Sequence, residues 1–205
     1  MKKTEELVSS NIILQGEFEP MKFDKLFFIK NDVFLEEDFE ENSLFSKNAV
    51  SISTKEFLIN ITKKQIVIIL KNNIVNIEKI SKIITTLKNN YNFLMISFNQ
   101  KWFKLNENIN ELTRTNFYPS KSSYLNEYFK NEDSAFGYYA SKNLDNGRFK
   151  VDIKPITLVS VVEKKELDVL SFDFSFHLDK INDTFNPNQS LIKLGEESEK
   201  LIKSF

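Results

Sequence analysis

From Leu170 to Asp179 the chain reads Leu-Ser-Phe-Asp-Phe-Ser-Phe-His-Leu-Asp, apolar and polar in strict alternation. Successive strand side chains point to opposite faces, so Leu170, Phe172, Phe174, Phe176 and Leu178 share one face. Ser171, Asp173, Ser175, His177 and Asp179 share the other. A run of this kind is legible only as a half-buried β-strand with an aromatic core face. It commits the chain to a sheet-containing fold, and it puts the only histidine of the protein on a polar sheet face.

The rest of the chain supports a sheet with helices against it. Residues 11–35 read as strand, turn, strand, broken at Glu19-Pro20, with Phe23 to Phe34 as the second strand. Ala49–Ser53 alternates. Phe57 to Thr62 and Gln65 to Leu70 are two further strands around a Lys63-Lys64 turn. The continuous apolar run of the second suits a central strand covered on both faces. Asn76 can cap a helix running to Asn89, with Ile77, Ile80, Ile84 and Leu87 at helical spacing. Tyr91 to Phe98 is a strand that Lys101-Trp102-Phe103 can continue.

Residues 104–121 are the least regular stretch. Beyond them come a short helix near Ser123–Lys130, a strand over Phe136–Ser141, a hairpin turn at Asn146-Gly147 and a strand from Arg148. Pro155 marks a bulge or an edge, Ile156 to Val162 resumes as strand, and Glu163-Lys164-Lys165-Glu166 is a charged turn. A closing helix has Asn186 as cap, Pro187 at its first position and Leu191, Leu194, Leu201 and Phe205 as its apolar side. Gly195 in its middle calls for a close backbone contact to explain it. The expectation is an α+β fold: a mostly antiparallel sheet of hairpins covered by about three helices. The chain reads as one compact domain, 1–205, with halves 11–103 and 122–205 of similar element order around a seam at 104–121.

Composition narrows the function. The 205 residues include 20 phenylalanines, and 41% are hydrophobic, so a core forms without cross-links. There is no cysteine, which removes disulfides, thiolate metal sites and cysteine nucleophiles. Lys plus Arg number 28 against 29 Asp plus Glu, and the only arginines are Arg114 and Arg148. That balance argues against a dedicated nucleic-acid binder, which carries a basic excess and uses Arg for bidentate contacts. The N-terminal Met-Lys-Lys-Thr-Glu-Glu-Leu lacks the apolar stretch of a signal peptide, and Ile66–Leu70 is far too short to cross a bilayer. The chain is therefore expected to be cytoplasmic and not membrane-bound, and its richness in Lys, Asn, Ile and Phe suits a low-GC genome.

No nucleophile elbow, phosphate-binding loop, dinucleotide fingerprint or H-E-x-x-H motif is present. The chemistry-bearing candidates are few. His177 and Asp179, with Asp173 farther along the same face, could hold Zn, Mn or Fe, or His177 could act as an aspartate-oriented base. The competing reading is cross-strand charge pairing with Arg148, Lys150 and Lys154. Asp152-Ile153-Lys154, with Asp133 or Asp145 upstream, matches the acid-x-Lys half of a nuclease site. The acidic segment Glu36–Glu41 reads as a cation site or as a solvated loop. Trp102, Arg114 and Tyr118 flank the seam with the side-chain types of interface hot spots, and Tyr138-Tyr139 and Phe103 add stacking surface. The expectation is a non-catalytic protein-interaction or accessory-subunit module, bound to a protein partner or to itself, with Trp102, Arg114 and Tyr118 at the contact and no cofactor. A metal-dependent hydrolase or nuclease is the alternative, and a nucleic-acid-binding module the third reading.

Overall fold

The computed structural model describes residues 5–71, 76–106, 108–119, 121–130, 134–144, 147–159, 166–179, 181 and 185–205. Nine strands form one antiparallel sheet: β1 (Glu5–Gly16), β2 (Leu44–Phe45), β3 (Ala49–Ser53), β4 (Phe57–Thr62), β5 (Gln65–Leu70), β6 (Phe93–Leu105), β7 (Tyr138–Leu144), β8 (Gly147–Val159) and β9 (Glu166–Leu178). Their spatial order is β2-β3-β4-β5-β1-β6-β9-β8-β7. Two meanders, β2 to β5 and β7 to β9, thus flank the central pair β1 and β6. The helices are α1 (Lys25–Lys30), α2 (Ile77–Asn90), α3 (Ile109–Phe117), α4 (Ser123–Tyr128) and α5 (Pro187–Lys203). This is the α+β class that the patterning indicates.

The alternation of β9 is realised as read: Leu170, Phe172, Phe174, Phe176 and Leu178 are all buried. Phe172 and Phe174 stack at 6.2 Å, and Phe205 meets Phe172 edge-on at 5.6 Å. Ile12 and Leu14 of β1, Ile66 and Ile68 of β5, and Ile96 and Phe98 of β6 continue the same apolar surface. Ile80, Ile83, Ile84 and Leu87 of α2 and Leu191, Leu194 and Ile202 of α5 close over it, and the two helices touch each other. Asn76 caps α2 through Lys79 N, and the Asn186 side chain accepts from Asn188 N and Gln189 N at the start of α5.

Several expectations are corrected. Phe23 to Phe34 holds α1, not a strand. Asp24 caps it, accepting from Phe27 N at 2.8 Å, and Phe23, Phe27 and Phe28 gather on one helical side. Phe23 then stacks on Tyr91 at 4.6 Å, so the helical spacing of the rings outweighs their strand propensity. Half of the 104–121 stretch is α3, capped by Asn108 through Glu111 N. Its Thr- and Asn-rich sequence conceals it, because these residues are weak helix formers. β5 is central, but Val67 and Ile69 on its second face are only half-buried, so a single face carries the core.

In the hairpin between β7 and β8, Leu144 pairs with Gly147, and a Cβ on Gly147 would collide with the His177 carbonyl oxygen. Asn146 and the expected turn at 163–165 lie outside the described residues. Pro155 sits within β8, paired to Leu170 on β9 but beyond the last β7 partner, Tyr138 opposite Ile153. There the missing N–H leaves no ladder bond unmade on the β7 side. Gly195 has nothing within 4 Å of an added Cβ, so no close backbone contact explains it. Gly195→Ala should therefore stabilise the protein by about 0.5–1 kcal/mol, roughly 1–4 °C in Tm, in a thermal melt. Phe172→Ala removes a fully buried ring and should cost about 3–5 kcal/mol by denaturant unfolding.

Candidate functional site

With the helices gathered on one side, the second face of the sheet carries a polar lattice set by strand register. Ser97, His177 and Arg148 lie in one cross-strand row on β6, β9 and β8. Lys101, Asp173 and Asp152 form a parallel row, and Ser171 opposite Lys154 the next. The charges answer one another. Lys154 Nζ donates to Asp152 at 2.8 Å and stands 3.5 Å from Asp173, which Lys101 approaches from the other side at 3.6 Å. The Lys154 ammonium is held above the usual lysine value, first by its hydrogen bond to Asp152 and then by the nearby charges of both aspartates. Arg148 donates to Asn143 at 2.9 Å. Asp152 and Lys154, the nuclease-like pair, are thus bonded to each other. The upstream Asp133 and Asp145 lie outside the described residues.

His177 makes two short contacts. Its Nδ1 is 2.7 Å from the Ser97 hydroxyl and its Nε2 2.6 Å from an Asp179 carboxylate oxygen. Serine, histidine and aspartate thus stand in a line that the sequence does not announce, because Ser97 is 80 positions from its partner. The order of exposure runs against nucleophilic use. Ser97 is only 8% exposed, whereas the Asp179 side chain is 60% exposed. Ser97 also sits in a strand paired on both sides, to Ile13 and to His177, which commits its flanking N–H groups to the ladder and leaves none to stabilise an oxyanion. The geometry orients an imidazole between two strands. Among the described residues no three His, Asp or Glu side chains converge as a metal-ligand set, and Asp173 faces lysines instead of His177.

The three seam residues separate. Trp102 lies on the helix-covered side of β6, half-buried against the core beside α5, with its indole N–H donating to Gln100 at 3.3 Å. Arg114 of α3 sits 5.7 Å from the Tyr118 ring and 5.9 Å from Phe136 and donates to the Lys130 carbonyl. Tyr118 and Phe136 meet edge-on at 5.3 Å. This cation–π cluster ties Lys130 and Phe136 to α3, and Arg114, Tyr118 and Phe136 are half-buried in it. Phe103 lies under Lys101, and Tyr138 stacks on Phe117 at 5.5 Å.

Within the acidic segment, Glu40 is bonded to Lys71 at 2.6 Å and to Ser53 at 2.7 Å, and Asp38 and Glu56 share Lys79. These carboxylates tie the 36–43 loop and α2 to the ends of β3 and β5.

The most open ground lies at the β7 border. The core-facing sides of β7 and β8 run out past α5 as a groove with Ala140, Leu144, Phe149 and Val151 on its floor and Leu201 on its wall. Lys142, Lys193, Glu197 and Lys200 stand on the banks. β7 is also the sheet's long free edge, seven residues against two in β2. Sequence reading passes over this border because Ala140, Phe149 and Leu144 look like ordinary core positions. They stay half-buried because α5 stops short of the last two strands and α3 covers only the Tyr138 end, which no local pattern encodes.

No protein-family model and no curated protein matches this sequence.

The hydrogen bonds from Lys71 and Ser53 hold the Glu40 carboxyl below the ordinary glutamate value of 4.5. A lowered folded-state pKa contributes stability that is present above the unfolded value and lost as pH falls through the folded one. NMR titration should place the Glu40 midpoint below 4.5 in the native chain and return it upward in Lys71→Met. An unchanged midpoint in that variant would show that Lys71 is not the cause.

Proposed function

We propose that the protein is a non-catalytic, cytoplasmic protein-binding or accessory module whose partner meets it along the β7 border. One observation carries this reading: α5 stops short of β8 and β7, and α3 reaches them only at the Tyr138 end, leaving an apolar strip next to an edge that is unpaired among the described residues. Apolar strips bounded by polar residues mark interaction surfaces, and an unpaired edge presents backbone donors and acceptors that a partner strand can use. The polar lattice of the other face favours a structural role over chemistry, since its lysines and aspartates neutralise each other. The interaction therefore moves from the seam residues to β7. Trp102, Arg114 and Tyr118 support the fold that presents it.

A photocrosslinking residue placed at Tyr138, on the groove side of β7 and 47% exposed, should capture a protein in native lysate. The same residue at Leu94, 74% exposed and far from the border in strand order, should not. Equal capture at both positions, or capture at neither, would remove the border from consideration.

A further inference from the structure

We propose that the groove beside α5 seats an amphipathic helix of about three turns, supplied by a different protein chain, apolar on one side and acidic along its margins. This rests on the protein-binding reading above and names the chemistry of the partner. Layer geometry supplies the shape. α5 lies on β9 and β6 and against α2, and α3 reaches β8 and the Tyr138 end of β7, so the sheet continues past α5 from Ala140 to Leu144. Two strands at ~4.8 Å each extend the floor by roughly 10 Å, the spacing at which one helix packs beside another. The groove, about 380 Å³ in its larger part, runs along β7 from Tyr138 toward Leu144, where a smaller recess of about 150 Å³ continues it. From Ala140 to Leu144 five residues of strand span roughly 14–17 Å, which accommodates about three helical turns at ~5.4 Å each. Ala140 keeps the floor low, and Lys142, opposite Phe149 on the same face, rises from the outer strand between Ala140 and Leu144.

Charge supplies the rest. Lys142 on the β7 bank and Lys193 on the α5 bank have no ion-pair partner among the described residues. Glu197, the one acid on the banks, is engaged by Lys200 at 3.5 Å. The rim is therefore positive on both sides of an apolar floor. An occupant with carboxylates on both margins of its apolar stripe answers both banks, and a basic helix is repelled by them. This chain has no exposed helix of that kind among its described residues: α2 and α5 turn their apolar sides into the core, and α4 carries Glu127 as its only acid.

The test uses two synthetic 14-residue peptides with the same leucine stripe, one flanked by glutamates and one by lysines, followed by fluorescence anisotropy. The acidic peptide should bind the native chain, with the basic peptide weaker by about tenfold. Ala140→Arg, which fills the floor, should weaken the acidic peptide by about tenfold or more. The double variant Lys142→Glu/Lys193→Glu, which leaves the floor intact, should reverse the preference. Failure of both peptides to bind, equal binding of the two, or no effect of either variant overturns the proposal. So does a native dimer in light scattering that Ala140→Arg dissociates, because the occupant is then a second copy. Capture at Tyr138 without peptide binding would leave the border reading standing and remove the helix; loss of both would remove both.

Discussion

The pairing of β6 with β9 is the contact on which the rest of the molecule depends. From Ile96 opposite Leu178 to Leu105 opposite Val169, it joins two meanders that are otherwise separate in sequence into one sheet. It aligns the aromatic face of β9 with Phe98 of β6, giving a continuous floor on which α2 and α5 lie side by side. The same register sets Ser97 against His177 and Lys101 against Asp173, so the polar lattice of the opposite face is a by-product of the pairing that builds the core. Partners so distant in the chain must close large loops before they gain any contact energy. Such a fold forms slowly relative to a helical protein of equal size.

The polar face illustrates how chemical-looking residues can be structural. Asp173 between Lys101 and Lys154, and His177 between Ser97 and Asp179, have the residue types of active sites. Lys101, Lys154 and Ser97 come from neighbouring strands and Asp179 from two residues along the same segment, and the groups satisfy one another. Exposed pairs of this kind contribute little singly, about 0.2–1 kcal/mol, and act mainly by penalising a slipped register. A one-residue slip of β9 would bring His177 and Asp173 into the core and set Phe174 and Phe176 in water.

What could be read from the chain follows the range of the forces involved. The alternation of β9, the β3–β4–β5 meander, the stripe of α2 and the cap of α5 are local signals, and each corresponds to an element of the structure. α1 was hidden because phenylalanines at helical spacing share their composition with strand residues, and only the Asp24 cap separates the two. α3 was hidden by its Asn and Thr content. The candidate site was less legible. His177 and Asp179 could be placed on one face from the sequence, but the Ser97 hydroxyl and the lysines around Asp173 arrive through strand order. The separation of Trp102 from Arg114 and Tyr118 is likewise a matter of which side of β6 faces α5. Exposure at the β7 border depends on where the helices stop, and nothing local to Ala140 or Phe149 records that.

The two edges of the sheet are unequal, and the difference limits how the molecule can grow. β2 is two residues long, and Ser43, Ser46 and Glu40 of the adjoining loop already engage the backbone of β3 behind it. β7 offers a full strand. A sheet with one usable edge can join once: two copies meeting edge to edge through β7 would turn both blunt ends outward and present nothing to a third. Propagation into a filament needs a second usable edge, and here the short strand at the far side acts as a chain terminator.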